Sequence, residues 1–166
     1  MRSERILKYA AWAVHCYTAA GAAAGIIALD LIGRSDFRGA LIVMAITLFI
    51  DSTDGSLARG LNVRERLPFF DGSLLDNVVD YLTYVAIPVY FMLRSGILAE
   101  DAAGLAVASF IMVASAYGFC RTDAKTADHY FRGFPSYWNL AVFYLYCLRL
   151  PLLANAALLS VLAVMD

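Results

Sequence analysis

The stretch GALIVMAITLFIDSTDGSLARG, residues 39–60, decides how the whole chain is read. Its first ten residues, GALIVMAITL, suit a hydrocarbon layer, yet its last turns carry Asp51, Asp54 and Arg59. Acidic groups at the edge of so apolar a helix are costly and mark a functional site by default.

Composition supports a membrane setting for that helix. Of 166 residues, 61% are hydrophobic and 16% charged, and the mean hydropathy is +0.67. A soluble domain is roughly half apolar and a quarter charged. The apolar excess is clustered, which points to lipid rather than to a large core. A length of 166 residues fits a single domain over 1–166. The net charge of −1 lacks the basic excess of a nucleic-acid binder. Three isolated cysteines, Cys16, Cys120 and Cys147, show neither a disulfide framework nor zinc-ligand spacing, and are expected as small buried hydrophobes. The charged start MRSERILKYA does not resemble a cleavable signal.

A membrane span needs about 20 mostly apolar residues. Six candidates follow, at 11–32, 39–59, 72–93, 101–120, 136–148 and 152–165. The expected fold is therefore an all-α, polytopic transmembrane helix bundle with about six spans, the last two short. The first ten residues read as an interfacial amphipathic helix, with Ile6 and Leu7 toward lipid and Arg2, Arg5 and Lys8 toward headgroups. A solvated cytoplasmic start is the alternative. With the N-terminus inside, the inner segments hold nine basic residues: Arg2, Arg5, Lys8, Arg59, Arg64, Arg66, Arg121, Lys125 and Arg132. The outer segments hold four: Arg34, Arg38, Arg94 and Arg149. That bias predicts a cytoplasmic N-terminus. The acidic end of the second span and the start of the third then share the cytoplasmic side.

The third span opens GSLLDNVVDYLTY, residues 72–84. Asp76 and Asp80 are four apart and share a helix face, as Asp51 and Asp54 do at a spacing of three. Two antiparallel neighbours would thus present four carboxylates at one depth. Their repulsion calls for protonation or a cation. Hard divalent ions prefer carboxylate oxygens, and two would neutralise four aspartates. Paired ions about 4 Å apart grip the entering and leaving oxygens of a phosphoryl transfer. Gly55 and Gly72 would let a ligand or a partner helix come close. Ala58 continues that wall, and Arg59 suits a bidentate phosphate contact.

The run DSTDGSLAR followed by GSLLDNVVD resembles the signature of the CDP-alcohol phosphatidyltransferases. Eight fixed positions match: Asp51, Asp54, Gly55, Ala58, Arg59, Gly72, Asp76 and Asp80. The spacer of twelve residues, 60–71, is longer than the family's common eight, and resembles the bacterial branch that makes phosphatidylcholine. VHCYTAAGA (14–22) and TADHYFRGFPSYWN (126–139) also look like that branch. Chains of the family usually continue past the sixth span, so the ending at Asp166 departs from the pattern.

The resemblance implies CDP-diacylglycerol as donor, choline as acceptor, and phosphatidylcholine and CMP as products. It implies a divalent metal, Mn2+ or Mg2+ and two ions, on Asp51, Asp54, Asp76 and Asp80, with Asp80 also the general base. It further implies a bacterial inner-membrane location, a cytoplasm-facing site and, as often in the family, a homodimer. Arg121, Lys125 and Arg132 join Gly55, Ala58, Arg59 and Gly72 as donor-binding candidates. A quaternary ammonium is held by aromatic faces, which makes Tyr81, Tyr84, Tyr130, Tyr137 and Trp138 choline-binding candidates. His15, in the first turns of span one, either serves the site or bonds a neighbouring helix; His129 is uninformative.

Two alternatives stand beside this reading. A serine phosphatidyltransferase would keep the chemistry but needs a dedicated cation for the serine carboxylate. A cation transporter would also carry intramembrane acids, although DG, AR and G spacing has no rationale in transport.

Overall fold

The computed structural model of the chain describes residues 2–121 and 137–165, and every regular element among them is helical. Helix α1 spans Arg2–Gly33 and α2 Phe37–Gly60. A short α3, Val63–Arg66, lies in the connection to α4, Gly72–Asp80. A π-helical segment, Tyr81–Ala86, follows α4 without a break and passes into α5, Ile87–Arg94. Helix α6 is Ala102–Cys120, α7 Trp138–Leu148 and α8 Leu152–Leu162.

Among the described residues, three helices, Glu4–Gly33, Phe37–Gly60 and Ala102–Cys120, are long and apolar enough to cross a membrane. Only 28%, 28% and 22% of their apolar windows are buried within the protein, so most of that surface points outward. The apolar excess therefore does not go into a core, and lipid is the solvent that suits it. The third expected span is present as helical backbone from Gly72 to Arg94, but as an α–π–α run. The fifth and sixth expected spans are helices of 11 residues each. At ~1.5 Å per residue each reaches about 16 Å, half of the ~30 Å hydrocarbon layer.

Two further expectations are corrected. The amphipathic start is not a separate interfacial helix but the first turns of α1, because no glycine or proline interrupts residues 2–20. Ile6 and Tyr9 are exposed there. The three cysteines are exposed rather than buried. An apolar neighbourhood implies burial only when the surroundings are water, and these helices carry apolar residues on their outer faces as well.

Pro88 accounts for the π turn. A proline inside a helix offers no N–H and crowds the carbonyl four residues back, here that of Tyr84. The helix widens just before it, with the Ile87 amide bonded to the Leu82 carbonyl, five residues back. Such turns are frequent at functional sites.

Side chains of aspartate start three helices: Asp36 accepts from the Gly39 amide at 3.0 Å, Asp71 from Leu74 at 3.0 Å, and Asp101 from Gly104 at 2.9 Å. Helix α1 packs along α2, where the Tyr17 and Thr53 hydroxyls meet at 2.9 Å. Its other neighbours are α3, α4, the π segment and α5. Gly21 and Gly25, one turn apart, permit that approach. A Cβ at Gly21 would lie 2.9 Å from Val79 Cγ1, and one at Gly25 would lie 2.8 Å from Ile87 Cδ1. The main core gathers Ile32, Met44, Val85, Phe91, Ile111 and Trp138 from α1, α2, the π–α5 run, α6 and α7. The spacer forms a second core, in which Val63 and Leu67 bury against Ala11 and Val14 of α1.

Candidate active site

The end of α2 and the length of α4 bring three motif carboxylates together. One ligand oxygen from each of Asp51, Asp76 and Asp80 lies within 4.8 Å of the others. Asp80 is buried, while Asp51 and Asp76 are half-buried. Like charges this close need a cation or protons between them. Hard oxygen donors from two helices, partly shielded from solvent, are a donor set for a divalent ion.

Asp54 is the fourth motif carboxylate. It is buried on the α1 side of α2, where the Thr18 hydroxyl donates to its Oδ2 at 2.7 Å. Asp51 receives a hydroxyl from the other side, with the Tyr84 phenol donating to Oδ2 at 2.6 Å. Both of the α2 aspartates are therefore anchored from neighbouring helices. Sequence reading did not find either bond. The signal for Thr18 lay in VHCYTAAGA, a stretch notable for resemblance but not assigned a role there.

The motif glycines are tightly used. A Cβ at Gly72 would stand 2.6 Å from His15 Cε1, so the histidine ring covers the first turn of α4. That ring is buried, its centroid 4.5 Å from Phe70 and 5.9 Å from Trp12. Its Nε2 is buried without a hydrogen-bond partner among the described residues. The spacer makes this contact possible. Arg66 Nε bonds the Leu61 carbonyl at 2.8 Å, Asn62 turns the chain at φ 47°, and Phe70 is delivered beside His15. A Cβ at Gly55 would lie 3.3 Å from Arg59 Nη1. Arg59 is exposed, and its Nη2 donates to Ser56 Oγ at 3.1 Å. Ala58 packs against the second core.

The remaining candidates fall in different places. Tyr81 donates to the Met112 carbonyl at 2.9 Å, with its ring edge-on to Phe119. Tyr84 is part of the main core. Trp138 is fully buried and donates its indole N–H to Ser115 at 2.8 Å. The structure thus turns the Tyr84 and Trp138 rings inward rather than toward an open cleft. Arg121 is exposed at the end of α6. Lys125, Tyr130 and Arg132 lie outside the described residues. Half-buried Tyr137 heads a groove of about 370 Å3 between α7 and α8, which continues along Leu140, Tyr144, Leu148, Leu158 and Leu162. Its exposed lining is wholly apolar, so it is no place for a phosphate.

Apolar helices that enclose a carboxylate cluster, with DxxDGxxAR and GxxxDxxxD on the two contributing helices, define a class. The CDP-alcohol phosphatidyltransferase family profile matches residues 11–165, and the chain belongs to that family. Among its curated relatives, the phosphatidylcholine synthase of Legionella pneumophila is 48% identical over 158 residues, covering 95% of this chain and 62% of the relative. The phosphatidylcholine synthase of Pseudomonas aeruginosa is 43% identical, covering 95% of this chain and 66% of the relative. That of Borreliella burgdorferi is 42% identical, covering 91% and 64%. The chain thus spans a little under two thirds of the length of these relatives. No solved structure matches it significantly.

Proposed function

We propose that this chain carries the active site of an integral membrane phosphatidyltransferase that joins CDP-diacylglycerol to choline, giving phosphatidylcholine and CMP. The observation that carries the chemistry is the meeting of Asp51, Asp76 and Asp80 within 4.8 Å at the junction of the two motif helices. The acceptor assignment is supported by the name shared by relatives at 35–48% identity.

In this reading Asp51, Asp76 and Asp80 would hold divalent metal, Mn2+ or Mg2+, and Asp54 would be a further ligand if a second ion is taken up. The metal would offset the negative charge that spreads over the phosphoryl oxygens. Asp80, the most buried of the three, takes the proton of the choline hydroxyl. The freed oxygen forms a bond to the phosphorus that bears the diacylglycerol. The bond from that phosphorus to the bridging pyrophosphate oxygen breaks, and CMP leaves with the electron pair. Arg59 and Arg121, both exposed, would meet the donor's phosphates from the aqueous side. The expected bias of nine inner basic residues against four outer ones supports a cytoplasm-facing site, and the resemblance to bacterial relatives supports an inner-membrane location.

The test offers labelled CDP-diacylglycerol to the purified chain in detergent micelles, with choline, serine or glycerol phosphate supplied separately. Phosphatidylcholine with choline alone is the expected result. Phosphatidylserine at a comparable rate would overturn the acceptor, and turnover with none of the three would overturn the enzyme reading for this chain.

A further inference from the structure

We propose that Tyr84 is a positioning residue that holds Asp51 in the geometry of the carboxylate cluster. The inference rests on the metal-site reading above and extends it to a residue outside the motif.

Three observations converge. The phenol oxygen stands 2.6 Å from Asp51 Oδ2, at the short end for an O–H donor and in the range of bonds to ionised carboxylates. The ring cannot swing freely, because Tyr84 is 7% exposed and belongs to the main core. And the residue sits in the π-helical turn directly after Asp80, on the helical run that also carries Asp76. One continuous helical run therefore supplies two carboxylates of the cluster and a hydroxyl that aims the third.

The arrangement answers a physical need. Without a cation, three close carboxylates repel, and Asp51 on α2 would turn away from Asp76 and Asp80. A charge-assisted hydrogen bond to a fixed phenol opposes that rotation. A carboxylate has about four lone-pair sites, so accepting one phenol leaves capacity for a metal. Outer partners of metal-binding carboxylates commonly act in this way. The role differs from that of an aromatic wall for choline. It uses the hydroxyl, whereas a cation–π wall uses a ring face, and this ring is enclosed by protein.

Tyr84→Phe keeps the ring and removes only the hydroxyl. Mn2+ is titrated into the purified chain in detergent without substrate, and free Mn2+ is followed by electron paramagnetic resonance. The expected result is an affinity about 10- to 100-fold weaker than wild type, the usual cost of losing such a partner. Turnover should fall with it, while the choline KM stays within about two-fold, since the ring is retained. In an Asp51→Asn background the same substitution should change Mn2+ affinity no further, because Tyr84 acts through Asp51. Thermal unfolding of each variant reports whether it is folded. Mn2+ binding within two-fold of wild type in folded Tyr84→Phe overturns the inference and leaves the metal site standing. A raised choline KM with unchanged Mn2+ binding also overturns it, and returns Tyr84 to the acceptor pocket. Wild type that binds no Mn2+ removes the metal-site reading itself and the inference with it.

Discussion

Replacing Gly72 with alanine probes how closely α1 is fitted to the mouth of the carboxylate cluster. The new methyl would stand 2.6 Å from Cε1 and 3.3 Å from Nδ1 of His15. Carbon atoms rest ~3.5–4.0 Å apart, so about 1 Å must be found. His15 is poorly placed to yield, being buried with its ring against Phe70 and Trp12. The start of α4 has to move instead, and Asp76, one turn on, moves with it. Overpacking of this kind costs about 1–3 kcal/mol. Alanine's better helix propensity returns up to ~1 kcal/mol, which would blur the single substitution. A double-mutant cycle with His15→Ala removes the ambiguity, because the propensity gain is the same in both backgrounds. Gly72→Ala should destabilise the wild type, yet be neutral or stabilising once His15 is alanine. The coupling should be about 1–3 kcal/mol, the overpacking cost alone. Turnover should fall by about 10- to 100-fold in Gly72→Ala, as expected for an ångström-scale displacement of a reacting group. Thermal unfolding in detergent micelles and phosphatidylcholine formation are the two assays. Equal stability losses in both backgrounds would refute the claim that His15 is what makes residue 72 a glycine.

Asp51→Asn or Asp80→Asn should each abolish turnover and weaken Mn2+ binding in a direct titration, since each removes a ligand charge from the three-carboxylate cluster. Thr18→Val should lower stability by about 1.5–3 kcal/mol, because a buried carboxylate loses a hydrogen bond, whereas Thr18→Ser should stay near wild type in the same unfolding assay. A cysteine in place of Phe69, which is 75% exposed on the spacer, should be labelled by an impermeant reagent from the cytoplasmic side only. That experiment needs Cys16, Cys120 and Cys147 replaced first, since all three are exposed.

The aspartate spacing was legible because it depends only on helix geometry. Residues three or four apart share a face in any α-helix, and two such pairs on adjoining helices meet wherever the helices do. Asp51, Asp76 and Asp80 accordingly converge, while Asp54, three residues on and so about 60° from Asp51 round α2, turns toward Thr18 of α1. Hydropathy located most helices for a similarly local reason. It gave no warning of the π turn at Tyr81–Ala86, because apolar content is blind to the missing amide of Pro88. It also overstated α7 and α8, since a run of apolar residues does not say where its hydrogen bonds stop.

Which face of each helix turns inward was the harder question, and the reason is the solvent. In water an apolar stripe marks the buried side. In α6, α7 and α8 apolar residues run all round, so hydropathy cannot separate a core face from a lipid face. That is why Cys120 and Cys147 lie outside, against expectation, while Trp138 lies inside. The polar atoms keep the information that hydropathy loses. An unsatisfied donor is costly in lipid, so a lone polar side chain on such a helix points to its partner. Trp138 finds Ser115 of α6, Asn155 of α8 finds the Ile97 carbonyl, and Tyr81 finds that of Met112. Thr18 and Tyr84 obey the same rule with Asp54 and Asp51 as their acceptors. The contacts that tie the bundle together and those that aim the carboxylates are thus one kind of bond, and in an apolar chain the sparse hydroxyls and amides are the residues from which both are read.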